Sequence, residues 1–157
     1  YLRVSLNICS KEKEKGKKGR NFKEEEKSLR ARGINSWDSL MNLTDEDINE
    51  ITRNSLSTYR NLKRLRCIAM LAIKLDIASE DAALLMHSGV GSIDALAALT
   101  PQELLTATGR FERGLGTGRS PIVDLKKAHS WIQKAKTRQA DAATTYQCFD
   151  KGTLRTP

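Results

Sequence analysis

Apolar residues recur every three or four positions across most of residues 24–139, with polar residues filling the positions between them. This spacing predicts helices that bury one face. The clearest case starts near Ser57-Thr58, and its apolar residues are Tyr59, Leu62, Leu65, Ile68, Leu71, Ala72 and Leu75. No segment alternates apolar and polar residues as a half-buried strand would. The pattern therefore predicts an all-α fold.

The sequence also contains an internal repeat. Shifted by 56 residues, GINSWDSLMNLTDEDINEIT (33–52) aligns with GVGSIDALAALTPQELLTAT (89–108). After a connection four residues longer in the second copy, LKRLRCIAMLAI from Leu62 aligns with IVDLKKAHSWIQ from Ile122. Self-similarity of this kind indicates two copies of one helical unit, which we expect to pack as one compact helical domain. The predicted divisions are a basic flexible arm (1–23), a first repeat (24–78), a second repeat (79–139) and a disordered tail (140–157).

Helix-start signals recur in both copies. Hydroxyl residues that suit N-caps are Ser36, Thr44, Ser92 and Thr100, and the last two lead into IDALAAL and PQELL. Thr44 with Asp47 and Thr100 with Glu103 have capping-box spacing. Ser120-Pro121 predicts the start of the last helix. The buried face of that helix is predicted to comprise Ile122, Leu125, Ile132 and Ala135, with Val123 and Trp131 beside it.

These residues carry a resemblance to known families. LLMHSGVGSIDALAAL resembles a helix-hairpin-helix motif, in which a Gly-hydrophobic-Gly turn joins two short helices. Residues 24–136 resemble an uncharacterised family of tandem units known mainly from cyanobacteria. The first copy is also similar to a sterile-alpha-motif domain, a five-helix module that often binds other proteins. The family resemblance implies no established activity.

Charge changes sign from one predicted element to the next. The chain carries a net charge of +8. Residues 11–32 contain ten basic and five acidic residues, and residues 58–75 contain five basic and no acidic ones. Residues 76–109 hold five acids without Lys or Arg, whereas residues 110–139 hold eight bases and two acids. Such segregation favours a polyanionic partner.

The turn at Gly89-Val90-Gly91 is a weak phosphate site. A helix-hairpin-helix turn grips a phosphate through backbone N–H groups and a helix N-terminus. Here Asp94 lies in the first turn of the following helix, and Asp38 repeats that position after Gly33. An acid there discourages a second anion. We interpret Gly89 as an architectural residue, chosen for its backbone freedom.

The segment GRFERGLGTGRSPIVDLKKAHSW is a better candidate, because glycines, a helix start and clustered bases can together hold a backbone phosphate. The alternative is a flexible loop that leads to a solvated basic helix face. The candidate nucleic-acid-binding residues of both copies are Arg60, Lys63, Arg64, Arg110, Arg113, Gly116, Gly118, Arg119, Ser120, Lys126 and Lys127.

Nothing in the sequence indicates an enzyme. His87 and His129 lie 42 positions apart with no residues at metal-ligand spacing, so we expect no catalytic residue, metal or cofactor. Trp37 and Trp131 are expected to fill core. Three scattered cysteines favour a reducing cytoplasm, and no run is long enough to cross a membrane. The chain begins at Tyr1 rather than Met, so we expect residues upstream of it.

Two functions remain open at this point. The first is a non-enzymatic protein that binds nucleic acid weakly and without strong sequence preference, with DNA favoured over RNA. The second, implied by the sterile-alpha-motif likeness, is a module for binding protein or self. Acidic segments of one molecule would then meet basic helices of the next.

Overall fold

The computed structural model of this 157-residue chain describes residues 22–116, 118 and 120–150, with side chains described up to residue 142. Within those residues the secondary structure is entirely helical, which confirms the all-α prediction. The helices are α1 (Lys23–Ala31), α2 (Trp37–Met41), α3 (Asp45–Arg53), α4 (Tyr59–Leu75), α5 (Ser79–His87), α6 (Ile93–Ala98), α7 (Pro101–Leu115) and α8 (Leu125–Asp150). No helix in the described part of the chain has the length and apolar content that a membrane span requires.

The chain divides into two compact units, unit 1 (Tyr1–Ala83) and unit 2 (Leu84–Pro157). The division falls inside α5, five residues after the predicted end of the first repeat. In unit 1, α4 packs against α2 and α3. Its fully buried large side chains are Leu29, Leu40, Ile48, Ile51, Leu62, Leu65, Ile68, Leu71 and Leu75. The spacing that predicted α4 therefore identified its buried face.

In unit 2, α8 packs against α6 and α7. Its buried side chains include Leu85, Val90, Leu96, Leu104, Val123, Ala128, Trp131, Ile132 and Ala135. Trp131 is 3% exposed, and Trp37 in unit 1 is 5% exposed. The prediction that both indoles fill core is confirmed.

The predicted helix starts are mostly correct. The hydroxyls of Ser36, Thr58 and Ser92 each accept a backbone N–H three residues ahead. Thr44 with Asp47 and Thr100 with Glu103 form complete capping boxes. In each box the carboxylate accepts two hydrogen bonds from the threonine, one from its backbone N–H and one from its hydroxyl. These bonds, the backbone one foremost, lower the pKa of the acid. Local sequence was sufficient here because both partners of a cap lie within one turn.

The start of the last helix was predicted wrongly. Ser120 does not cap α8, which begins at Leu125 and is capped by Asp124, whose Oδ1 accepts the Lys127 N–H at 2.7 Å. Ile122 and Leu125 are 59% and 47% exposed, whereas their counterparts Leu62 and Leu65 in the first copy are fully buried.

A redistribution of helix between the two copies explains this error. The third helix has 15 residues in unit 2 (α7) but 9 in unit 1 (α3). The repeat places the start of the last helix at position 119, and α8 begins six residues later. The extra turns of α7 thus replace the first turns of α8, and the described residues between the two helices are not helical.

The other end of α8 also differs from the expected boundary. The helix continues to Asp150, although the tail was expected to begin at residue 140. The basic arm up to residue 21 and the last seven residues lie outside the described residues, so those predictions remain open.

Candidate nucleic-acid interface

The first candidate group lies on α4. Arg60 and Lys63 are exposed, whereas Arg64 is half-buried. The Lys63 ammonium lies 5.1 Å from the centre of the Tyr59 ring and 3.9 Å from Oδ2 of Asp45. The ring and the distant carboxylate hold Lys63 loosely at the surface, where screening keeps such a pair weak.

Arg66 is a basic residue of α4 with a structural role. Its guanidinium donates to the backbone oxygen of Leu43 at 2.9 Å and to Oδ1 of Asp45 at 2.7 Å. The hydrogen bond from Arg66 holds the pKa of Asp45 below its usual range, and the nearby Lys63 charge acts in the same direction. Arg66, which was not among the sequence candidates, thus ties α4 to the start of α3.

The N-terminus of α4 already holds an anion from the same chain. Glu25, on α1, is 3% exposed, and its Oε1 accepts the backbone N–H of Thr58 at 3.3 Å. It also accepts the side-chain amide of Asn61 at 3.0 Å. A carboxylate at this position satisfies helix-end donors and occupies the place where a phosphate would bind. Sequence analysis missed this role, because nothing local separates Glu25 from Glu24 and Glu26.

The second candidate group begins at the end of α7. Arg110 and Arg113 are exposed. A Cβ added at Gly109 would lie 3.2 Å from Nη1 of Arg113, so this guanidinium lies back along its own helix. Gly116 ends α7 in the left-handed conformation (φ 63°), and Gly118 has the same φ. Arg119 lies outside the described residues.

The start of α8 completes this group and corrects its predicted geometry. Lys126 is exposed, and the Lys127 ammonium lies 5.6 Å from the centre of the Trp131 ring. Ser120 is exposed in the loop rather than at the helix start. Gly116 ends α7, and neither Gly116 nor Gly118 borders α8, whose N-terminus holds the Asp124 carboxylate. The prediction that these glycines lie directly before the helix start is therefore wrong.

One hydrogen bond joins the end of α7 to the approach to α8. Oε1 of Glu112 accepts the backbone N–H of Ile122 at 2.9 Å. Arg113 directly follows Glu112, and Lys126 lies four positions after Ile122, in the first turn of α8. The bond therefore fixes the approach to α8 against the end of α7, and each side of it has an exposed cation nearby in sequence.

The turns at Gly33 and Gly89 use their amides internally. Gly89 has φ 95°, and its N–H donates to the Met86 oxygen at 3.1 Å. The Val90 N–H donates to the Leu85 oxygen at 2.9 Å, as in the Schellman motif that ends many helices. The turn at Gly33, with φ 76°, has the same pair of bonds. These contacts favour the architectural interpretation of Gly89.

The comparisons with known proteins give a family but no activity. A family model described as a domain of unknown function, DUF4332, matches residues 20–138. The chain belongs to the DUF4332 family. The match spans every candidate cation of both units. No curated protein and no solved structure matches the chain.

Among the other reactive side chains that the structure describes in this DUF4332 chain, His87 and Cys67 are partly buried and His129 is exposed. His87 stacks on Phe111 with ring centres 5.5 Å apart, and His129 is exposed on α8. Cys67 is half-buried in α4, and burial raises the pKa of its thiol. No three His, Cys, Asp or Glu side chains gather as metal ligands would, as far as the described residues extend.

Proposed function

We propose that this protein is a non-enzymatic nucleic-acid-binding protein that holds DNA weakly, in preference to RNA, and without strong sequence preference. Its contacts would be ion pairs between exposed Lys or Arg side chains and backbone phosphates. The observation that carries the proposal is the exposure of cations at two places, the first turns of α4 and the corner where α7 meets α8.

The contacting side chains on this proposal belong to both units. In unit 1 they are Arg60 and Lys63, supported by the half-buried Arg64; in unit 2 they are Arg110, Arg113 and Lys126. Phosphate contacts position a protein on nucleic acid but carry no sequence information by themselves.

The mode of binding follows from the closed helix ends. Glu25 occupies the N-terminus of α4, and Asp124 occupies that of α8. Each carboxylate accepts one backbone N–H and puts negative charge at the helix end, which disfavours a phosphate there. The proposed binding therefore relies on long side chains, which gives a steep dependence on salt and little dependence on base sequence.

The resemblance of both copies to helix-hairpin-helix units supports DNA as the partner. In this chain the turns at Gly33 and Gly89 would set the angle between helices, since their first amides are bonded within the turn. The proposal therefore differs from the usual action of such a turn. A cytoplasmic location is the accompanying proposal.

The salt dependence of binding to a random-sequence duplex tests the proposal. Arg113→Gln with Lys126→Gln should weaken binding and lower the slope of log K against log salt concentration by about two, or one per lost phosphate contact. Lys27→Gln with Lys74→Gln removes the same charge from exposed positions outside the proposed surface. This matched control should change the slope much less. If both double variants lost the same amount of affinity, the effect would come from net charge and not from the proposed surface. If the wild-type protein bound no duplex at low salt, the proposal would be wrong.

Arg66 provides a second control on α4. We propose that Arg60→Ala weakens DNA binding with little effect on folding, because Arg60 is exposed. Arg66→Ala should instead lower the free energy of unfolding by about 1–2 kcal/mol, since it removes the donor to the Leu43 oxygen. If Arg60→Ala instead destabilised the fold and Arg66→Ala weakened DNA binding, the ligand would have to bind elsewhere on unit 1.

Self-association is the second candidate function. Asp38 and Glu46 are exposed on α2 and α3 of unit 1, and they complement the exposed cations of unit 2. A head-to-tail contact of the sterile-alpha-motif kind would pair these surfaces between molecules. Sedimentation at rising protein concentration tests this candidate, and Glu46→Lys should weaken any association. A monomer at all concentrations and salt levels would exclude it.

A further inference from the structure

The connection between α4 and α5 is strained at Asp76. This residue ends α4 in the left-handed conformation, with φ 51° and ψ 57°. Among the described residues it is the one non-glycine with a positive φ, whereas the turns after α1, α5 and α7 place Gly33, Gly89 and Gly116 in such a conformation. Aspartate tolerates left-handed backbone better than most residues, but its Cβ still lies close to the following carbonyl oxygen. Glycine at this position would relieve the strain.

No other feature of the local sequence ends the helix here. Residues 59–87 contain neither glycine nor proline, and only Asp76, Ile77 and Ala78 separate α4 from α5. Right-handed backbone at these three residues would join the two helices into one, from Tyr59 to His87.

Straightening this connection costs no backbone hydrogen bond. In the turn, the Asp76 N–H donates to the Ile73 oxygen and the Ile77 N–H donates to the Ala72 oxygen. In a continuous helix the same two N–H groups would donate to the same two oxygens, with the partners exchanged. The turn also buries little surface of its own, because Asp76 and Ala78 are exposed. What holds α5 in place must therefore be the packing of α5 itself.

The first turn of α5 belongs with the helices that precede the connection. Unit 1 continues past Asp76 to Ala83. Within this turn Ala82 is fully buried. A single molecule that straightened the connection would move this turn away from its place in unit 1 and expose Ala82. A second copy of the chain offers the same place for it.

We infer that the connection between α4 and α5 is the hinge of a domain-swapped dimer. In this dimer α4 and α5 of each chain form one helix, and the first turn of α5 packs in unit 1 of the other chain. Short hinge loops under strain favour such an exchange, because opening relieves the strain while the contacts between molecules repeat those of the monomer. The entropy lost on association opposes the exchange. The dimer is therefore expected at high protein concentration.

The swapped dimer differs from the head-to-tail contact of the second candidate function. Head-to-tail association pairs exposed charges, so salt and Glu46→Lys should weaken it. The swapped contact instead repeats buried packing of the monomer, so neither change should affect it. Exchange also requires α5 to leave unit 1, so an isolated dimer should revert to monomer slowly after dilution.

Two substitutions at one position test the inference. Asp76→Ala and Asp76→Gly both remove the carboxylate and differ only in the Cβ. Alanine favours the continuous helix, whereas glycine favours the left-handed turn. The dimerisation constant from sedimentation should be at least about thirtyfold larger for Asp76→Ala, because each of the two hinges contributes about fivefold from helix propensity alone.

Lys74 provides the matched control. It is exposed in the last turn of α4 and would be helical in both forms. Lys74→Ala and Lys74→Gly should therefore have equal dimerisation constants, although their stabilities differ. Circular dichroism checks that every variant keeps its helix content.

A Gly-Ser-Gly-Ser insertion after Ala78 completes the experiment. It relaxes the turn and interrupts the continuous helix, so it should leave only monomer. Equal dimerisation of Asp76→Ala and Asp76→Gly, or a dimer that survives the insertion, would overturn the inference. So would a wild-type protein and an Asp76→Ala variant that both stay monomeric at every concentration. DNA is absent from these measurements, so each of these results leaves the proposed function standing.

Discussion

Glu25 of α1 and Asn61 of α4 meet through a hydrogen bond of 3.0 Å between Oε1 and the side-chain amide. The same oxygen accepts the backbone N–H of Thr58. A buried carboxylate 36 positions away in sequence thus closes the end of the most basic helix of unit 1. The contact satisfies a backbone donor at the start of α4 and places negative charge beside it.

Glu25 should therefore be a stability residue. Glu25→Ala leaves the Thr58 N–H and the Asn61 amide without this acceptor and should lower the free energy of unfolding by about 1–3 kcal/mol. Glu25→Gln keeps an acceptor oxygen and should cost less. Urea unfolding measures both, with the exposed Glu24→Ala as control, expected within about 0.5 kcal/mol of wild type. If Glu24→Ala and Glu25→Ala had equal effects, the capping role would be refuted.

The true cap of α8 can be distinguished from the expected one. Asp124→Ala should destabilise unit 2 by about 1 kcal/mol, because the Lys127 N–H loses its acceptor. Ser120→Ala should have almost no effect, since Ser120 is exposed in the loop. Thermal unfolding of the two variants is the measurement. If Ser120→Ala lost more stability than Asp124→Ala, the helix would begin at Ser120 as the sequence predicted.

Two glycines should respond in opposite directions to alanine. Gly89 has φ 95°, where a Cβ introduces strain, so Gly89→Ala should lower stability by about 1–2 kcal/mol. Gly114 lies within α7, and a Cβ added there meets nothing within 4 Å. Gly114→Ala should therefore raise stability by up to about 1 kcal/mol through higher helix propensity. Denaturant midpoints with unchanged m-values report both effects, and a loss at Gly114 would contradict the open space beside it.

Low pH should destabilise the fold, because three carboxylates accept hydrogen bonds in the folded protein that protonation weakens. Hydrogen bonds lower the pKa of Asp45, Asp47 and Glu103 in the folded protein. Their stabilisation is therefore complete above the pKa of the unfolded chain, about 4, and is lost as the pH falls through the lowered folded values. Unfolding at pH 7 and at stepwise lower pH below 4 should show this decline. Asp47→Asn with Glu103→Gln should flatten it, and an unchanged pH profile would exclude these two acids as its source.

The predictions that succeeded rest on short-range patterns. Apolar spacing located α4 and its buried face, and the hydroxyl and acid pairs located the caps, because the interacting groups lie within one or two turns. The start of α8 was predicted wrongly because Ser120-Pro121 and Asp124 are both sound local signals for a helix start. The choice between them depends on where α7 ends and which side chains the core can accept.

The candidate site was also predicted only in part from the sequence. Sequence supplied the cations of α4, α7 and α8, and their exposure could be expected from charge alone. It left Arg66 out of the candidates but did not show that Arg66 bonds to the Leu43 oxygen, whereas Arg60 faces solvent. Nor did it reveal that Ile122 and Leu125 stay outside the core, since their counterparts in the first copy are buried.

By itself, then, the sequence determined the helical class, the repeated unit, most helix starts and the alternation of charge, all of which depend on neighbours along the chain. Tertiary structure alone decided that Glu25 occupies the start of α4, that Asp124 rather than Ser120 caps α8, and that Glu112 bonds to the Ile122 N–H. The Glu25 contact joins residues 33 positions apart, and the choice between the two caps depends on where the core ends α7, which no local pattern encodes.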